Sequence, residues 1–177
     1  MSETITRLTI EVLRDSFQSV GYRVETLTDP VANTTYLRSA TAGLGFEIRP
    51  GNQLVGEEQS FVDATLVTTL QVQGELPLDL VNRWNTTRRF GRLQFSQPFL
   101  MFCLDVTVAG GVTPNFVRAQ IEIWDRLVQE LIAYLREELP KLAVRNGAAA
   151  AAPQPAAPVQ RPTHERTAEA EAVPTIQ

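Results

Sequence analysis

The stretch 82-NRWNTTRRFGRLQFSQPFLMFCLDVTV-108 is where helix gives way to sheet in this chain. In its second half Leu100, Phe102, Leu104, Val106 and Val108 share one parity and are all apolar, the pattern of a strand with one buried face. Phe90–Ser96 and Phe99–Val108 read as a hairpin around Gln97-Pro98. If Ser96 pairs with Phe99, Leu93 falls opposite Phe102 and Phe95 opposite Leu100. Both strands then choose the same core face, which fixes the register against a one-residue slip. The first half, Asn82 to Arg92, packs a tryptophan, two asparagines, four arginines and a phenylalanine into a helix end, a joint and a strand start.

Upstream, Pro77 sits in the first turn of a short helix, Leu78 to about Thr86, where its missing N–H costs nothing. Leu78 and Val81 are assigned to its inward side, with Asn82 and Asn85 beside them. Before it, Phe61–Gln73 is strongly β-branched. Val62, Ala64, Leu66, Leu70 and Val72 share one parity there, and Asp63, Thr65, Thr69 and Gln71 the other, so the strand has one wet face. At the start of the chain Ile10, Leu13, Phe17 and Val20 recur at helical spacing behind Thr9, a plausible N-cap, and Gly21 fits the left-handed stop. Tyr22–Leu27, Thr34–Ser39 and Leu44–Arg49 read as strands separated by the turn Asp29–Asn33 and by Gly43 and Gly45.

Downstream, Gly110-Gly111 breaks the last strand and Thr113-Pro114 opens a helix expected to end at about Leu139, before Pro140. Val117, Ile121, Trp124, Val128, Leu131 and Leu135 form its stripe, widened by Phe116, Leu127 and Ile132. That is more apolar surface than one small sheet needs. The order α-β-β-β-β-α-β-β-α predicts an α+β domain with a mostly antiparallel sheet and the first and last helices on one face. The domain is expected to span residues 1–146.

Composition narrows the function. The chain has 177 residues, a net charge of −4, one cysteine and one histidine, and is 44% hydrophobic. That suits one globular domain with a tail. No face carries an excess of basic residues, so nucleic acid is not expected. Met1–Arg7 has no basic region followed by an apolar run, and no stretch approaches the roughly 20 apolar residues of a membrane span. The expectation is a cytoplasmic protein. Cys103 alone forms no internal disulfide.

No catalytic constellation is legible. The single histidine, His164, lies in an Ala/Pro-rich segment with no second ligand near it, so neither a nucleophilic pair nor a zinc cluster can be assembled. Gly43-x-Gly45 and Gly110-Gly111 are turn glycines and not phosphate loops. No cofactor is implied. Asp63 and Asp105 stand out because they interrupt strands. In the hairpin register Asp105 lies diagonal to Arg92 on the wet face. It is either a surface ion pair, contributing roughly 0–1 kcal/mol, or a partly buried clamp on the joint. Arg88, Arg89 and Arg92 could hold an anion, although strand alternation sends Arg89 and Arg92 to opposite faces. Trp84 reads as a buried anchor whose indole finds a carbonyl. Asn82 and Asn85 read as satisfying backbone groups at the following turn. The structural reading of the run is preferred over a reaction centre.

Val81-Asn82-x-Trp84-Asn85-x-x-x-Arg89-Phe90-Gly91-Arg92, then Leu104-Asp105, Gly110-Gly111-Val112-Thr113 and the helix holding Trp124, resemble the YbjN domain family, described as bacterial sensory transduction regulators. Leu8-Thr9 with Gly21-Tyr22 matches how that domain begins. The likeness covers roughly Thr6 to Leu139. Its motif residues here are Asn82, Trp84, Asn85, Arg89, Phe90, Asp105, Gly110 and Gly111. The hairpin departs from the pattern, with Ser96-Gln97-Pro98 where Asp-Gly is common. The resemblance implies a fold like that of type III secretion chaperones, which are small, usually dimeric and bind extended peptides, and implies no established catalysis. The expected function is therefore non-enzymatic binding of a protein or peptide, with a homodimer possible. The alternative is a sensor of an anionic metabolite held at Arg88, Arg89 or Arg92.

Residues 147–177 contain almost no large apolar side chains and read as a disordered tail, unable to offset the entropy of ordering. Deleting Gly147–Gln177 is expected to leave the melting temperature almost unchanged in calorimetry. A drop of many degrees would assign the segment to the packed fold.

Overall fold

The computed structural model describes residues 4–150, with side chains through Leu142. Three helices and six strands follow in the expected order: α1 Ile10–Ser19, β1 Glu25–Thr28, β2 Thr35–Thr41, β3 Leu44–Pro50, β4 Asp63–Gln71, α2 Leu78–Thr87, β5 Arg92–Ser96, β6 Phe99–Thr107 and α3 Pro114–Ala150. All strands belong to one antiparallel sheet, ordered β1-β2-β3-β4-β6-β5. β1 to β4 form a meander. The chain then crosses through α2 and returns with β6, the long apolar strand, beside β4, which leaves β5 at the edge. Leu93 pairs with Phe102 and Phe95 with Leu100, the register read from the apolar parity. Gln97 and Pro98 join the two strands through a cis peptide bond.

The core lies between the sheet and the helices. Leu37, Phe46, Ile48, Ala64, Leu66, Leu93, Leu100, Phe102, Leu104 and Val106 are buried on one side of the sheet. Leu13 and Phe17 of α1, Leu80, Val81 and Trp84 of α2, and the α3 stripe from Val117 to Leu135 are buried with them. Aromatic rings run through this layer in one series. Tyr22 meets Phe17, Phe17 meets Phe46, and Phe46 meets Trp124 at centroid separations of 5.6, 5.9 and 5.4 Å. Trp124 stacks on Phe102 at 5.4 Å, Trp84 meets the same ring edge-on at 5.3 Å, and Tyr134 lies 5.4 Å from Trp84. Such pairs contribute about 0.5–1.5 kcal/mol each beyond their burial. The indole N–H of Trp124 is buried without an acceptor among the described residues.

Four local expectations are corrected. Leu78 was assigned inward and is 63% exposed, with Leu80 buried in its place. The inward face of α2 is set by Leu80, Val81 and Trp84, which puts the first helical residue outside. Asn82 and Asn85, set beside that inward side, are both exposed. β5 starts at Arg92 and not at Phe90, because Phe90 occupies the left-handed region at φ 72° and cannot continue a ladder. α3 passes Pro140 and runs to Ala150. A proline inside a helix removes one backbone bond, and here it does not end the helix.

Met1–Lys141 forms one packed unit, and of the second, Leu142–Gln177, only residues 142–150 are described, as helix. The expected tail therefore begins with Gly147–Ala150 in α3, and its remainder, His164 included, lies outside the described residues. No described helix is long and apolar enough to cross a membrane.

Candidate interaction surface

The Asn82–Arg92 run forms the joint between α2 and β5. Trp84 is fully buried, and its indole N–H donates to the carbonyl of Gly91 at 3.1 Å. Two positions along β5, the side chain of Asn85 takes both backbone groups of Leu93. Its Nδ2 donates to the Leu93 carbonyl at 3.0 Å, and its Oδ1 accepts the Leu93 N–H at 2.9 Å. A side-chain amide thus imitates a neighbouring strand. Gly91 lies against the Phe102 ring, and a Cβ there would collide with it. Only glycine fits this approach. Phe90, just before it, is 64% exposed.

The charged members of the run separate. Arg88 reaches Glu130 on α3 at 3.5 Å and lies over the Trp84 ring at 5.6 Å. Arg92 pairs with Asp105 across the sheet, and Arg89 is exposed. The two engaged guanidinium groups have carboxylates of this chain as partners, so the three arginines do not converge on one empty pocket. The Arg92–Asp105 pair is half exposed, which places it with surface pairs of roughly 0–1 kcal/mol and not with buried clamps. Burial works to raise the Asp105 carboxyl. The Arg92 guanidinium and the Thr65 hydroxyl, 2.7 Å away, outweigh it and hold it below the usual carboxylate range. The pair contributes at neutral pH and fades as acid protonates Asp105.

The other singled-out residues serve turns. Asp63 accepts the backbone N–H of Asn52 at 2.7 Å and its side-chain amide at 2.6 Å, closing the loop after β3. Asn82 is exposed on α2, its carbonyl taking the Thr86 hydroxyl at 2.9 Å. Gly110 and Gly111 have φ of 80° and 87° and turn β6 into α3, next to a bridge between Ile5 and Val112. Cys103 is buried on the helix-free side of β6, where burial pushes its thiol up.

All three helices pack on the same side, so the opposite side of the six strands is covered by none of them. Its rows run across the sheet as Glu25–Arg38–Glu47–Val67–Cys103–Arg92 and Leu27–Tyr36–Arg49–Thr65–Asp105. Arg49 lies 4.4 Å over the Tyr36 ring and bonds Glu47 at 2.7 Å and Asp29 at 3.4 Å. Asp29 in turn accepts the backbone N–H groups of Ala32 and Val31, which hold its carboxyl below the usual range. The middle of this side is half-buried Val67 and Met101 around the buried Cys103, between two charged borders.

Sequence reading missed a polar cluster at the β1 end. Asp125, next to Trp124 on α3, accepts the Tyr22 hydroxyl at 3.1 Å, the Thr41 hydroxyl and the Gln129 amide at 2.8 Å. Burial, with Asp125 beside it, raises the Tyr22 phenol. Nothing in local spacing connects residues 22, 41 and 125, so no periodicity could have grouped them. Among the described residues no group of acidic, histidine and cysteine side chains is placed to hold a metal ion.

A family model named YbjN, whose description reads "Putative bacterial sensory transduction regulator", matches residues 9–137. No curated protein and no solved structure matches the chain.

Trp84→Ala is expected to cost a few kcal/mol, the cost of emptying a buried aromatic site. Trp84→Phe should cost about 1–3 kcal/mol more than Trp124→Phe in urea unfolding. Only the first substitution strands a buried carbonyl, that of Gly91, and equal costs would remove the indole bond as a contributor. Asn85→Ala frees both backbone groups of Leu93 on the sheet edge. It should lower stability by about 1–2 kcal/mol and raise self-association in light scattering. A variant that stays monodisperse at full stability would show that the amide clamp does neither.

Proposed function

The chain belongs to the YbjN family, and we propose that it works in the cytoplasm as a non-catalytic regulatory or chaperone-like domain that binds a polypeptide partner, another copy of itself included. The observation that carries this reading is the side of the sheet that no described helix covers. Six strands present a side on which half-buried Val67 and Met101 lie between charged borders, and no described helix of the packed unit crosses it. A non-obligate interface is about as apolar as the rest of a protein surface, and a mixed sheet side of this kind suits one.

The last helix gives no comparable support. The stripe Val117, Ile121, Trp124, Leu127, Val128, Leu131 and Leu135 is already buried within the chain. The outer side of α3 carries ion pairs one turn apart, Arg118 with Glu122 and Arg126 with Glu130, as a solvated helix face does. Most of the expected surplus is consumed in the core, with Phe116 and Leu139 left exposed near the ends of the stripe, and the binding reading rests on the opposite side of the sheet. Of the residues that looked most reactive, Trp84 and Asn85 are engaged in bonds that hold the joint, and Arg92 is paired with Asp105 at the surface.

Affinity purification from the native cell with mass spectrometry, alongside light scattering, tests this reading. The expected result is one partner, or a second copy, recovered with the native chain and lost with Thr69→Arg in the middle of the open side. Because Thr69 is exposed, that substitution should change stability by no more than about 0.5 kcal/mol. A monomer in scattering with no protein enriched above a mock purification would overturn the proposal.

A further inference from the structure

The two edges of the sheet differ. In an antiparallel pair, residues alternate between pointing both backbone groups at the partner strand and pointing both away. At β5 the outward residues are Gly91, Leu93 and Phe95. The Gly91 carbonyl is taken by Trp84 and both Leu93 groups by Asn85, so α2 closes most of that edge. At β1 the register runs Glu25 opposite Arg38 to Thr28 opposite Thr35, and Asp29 donates to the Thr34 carbonyl at 2.9 Å. Alternation then turns Glu25 and Leu27 toward β2 and leaves Thr26 and Thr28 with their N–H and C=O pointing away from the sheet. Among the described residues no loop, helix or side chain bonds those four groups.

β1 carries no proline, lysine or bulge, three of the devices that blunt an edge. Two grooves open beside it. One, of about 740 Å³, is lined by Arg23, Glu25, Arg38 and Asp125 at the start of the strand. The other, of about 500 Å³, is lined by Arg14, Thr26 and Thr35 toward its end.

We propose that the β1 edge accepts an extended segment of the partner polypeptide as a seventh strand, an inference that rests on the polypeptide-binding function proposed above. Main-chain bonds to Thr26 and Thr28 would supply affinity, and alternate side chains selectivity. On the helix-free side the added strand places one residue opposite Glu25 and another opposite Leu27. Arg38, across the ladder from Glu25, lies 3.6 Å from Glu47, and Glu25 is exposed with no ion pair among the described residues. Leu27 lies beside Tyr36. Cross-strand complementarity therefore favours a lysine or arginine opposite Glu25 and an apolar residue two positions away. The net charge of −4 favours the same partner.

The test uses the full chain and two capped peptides of about nine residues, alternating threonine and valine. One carries a lysine two positions from a central leucine, and the other a glutamate in place of that lysine. Amide exchange at Thr26 and Thr28 and fluorescence anisotropy are the readouts. The lysine peptide should slow exchange at both amides and bind several-fold tighter than the glutamate peptide. Thr28→Pro removes an outward N–H without touching the ladder, and should weaken binding by about tenfold or more at an unchanged melting temperature. Glu25→Lys, which leaves the backbone intact, should reverse the preference between the peptides. Binding that leaves the Thr26 and Thr28 amides unprotected would overturn the edge and leave the polypeptide-binding function standing. Failure of both peptides to bind at millimolar concentration would overturn the edge assignment and count against that function.

Discussion

Phe102 lies between two tryptophans. Trp124 stacks on it from α3, and Trp84 meets it edge-on from α2, so one ring of β6 is the contact through which both helices grip the sheet. The neighbouring Gly91 keeps its position because any larger residue would strike the same ring. The indole of Trp84 then fixes the Gly91 carbonyl, and Asn85, one residue on, fixes Leu93. Remove the ring and the joint loses its stop, the strand its alignment and α3 its central stack. Around this point hydrophobic burial and directional bonding act together. Burial decides which side is the core, and the two side chains of α2 decide where along that side the hairpin sits.

Much of this architecture is legible without coordinates. The apolar parity of Leu100, Phe102, Leu104, Val106 and Val108 fixes both register and core face, because a slip of one residue would turn five large side chains into water. Period-three and period-four spacing places α1 and α3 for the same reason. Phe90 is where this logic stops. Its aromatic side chain suits a strand, yet the tight return after α2 demands a left-handed residue there, a requirement that comes from Trp84 and Gly91 and not from Phe90 itself. Pro140 is a similar case, since helix on both sides overrides a local breaker. Thr68 is another. A polar residue in the apolar row of β4, it is buried because its hydroxyl reaches the Gly45 carbonyl on β3 at 2.8 Å.

The candidate surface was harder to read. Polar and charged residues are prominent in a sequence, so attention falls on Asn82, Arg88, Arg89 and Arg92. In the fold all four are exposed, Arg88 and Arg92 pair at the surface with carboxylates of the same chain, and the bonds that hold the joint come from Trp84 and Asn85. The features left for a partner are a sheet side made of unremarkable Val, Thr and Met positions and a run of backbone groups on β1. Neither has a side-chain signature. An edge is a property of topology, visible only once it is known that β6 and not β5 lies beside β4, and that no described strand pairs with β1 on its far side.

Crowding all the helices onto one side has a consequence for how the chain can vary. Helix-side positions are bound to one another by packing, so a change at one calls for changes at several. On the other side the charged borders are coupled by ion pairs, Arg49 with Glu47 and Asp29 and Arg92 with Asp105. Val67, Thr69 and Gln94 between them lie outside those pairs, so substitutions at these positions are close to independent in their cost. The molecule is therefore divided into a core that must be inherited together and a sheet patch, between the charged borders, that can be rewritten residue by residue. A single scaffold of this design can be retuned toward a new partner in small steps without passing through an unfolded intermediate sequence.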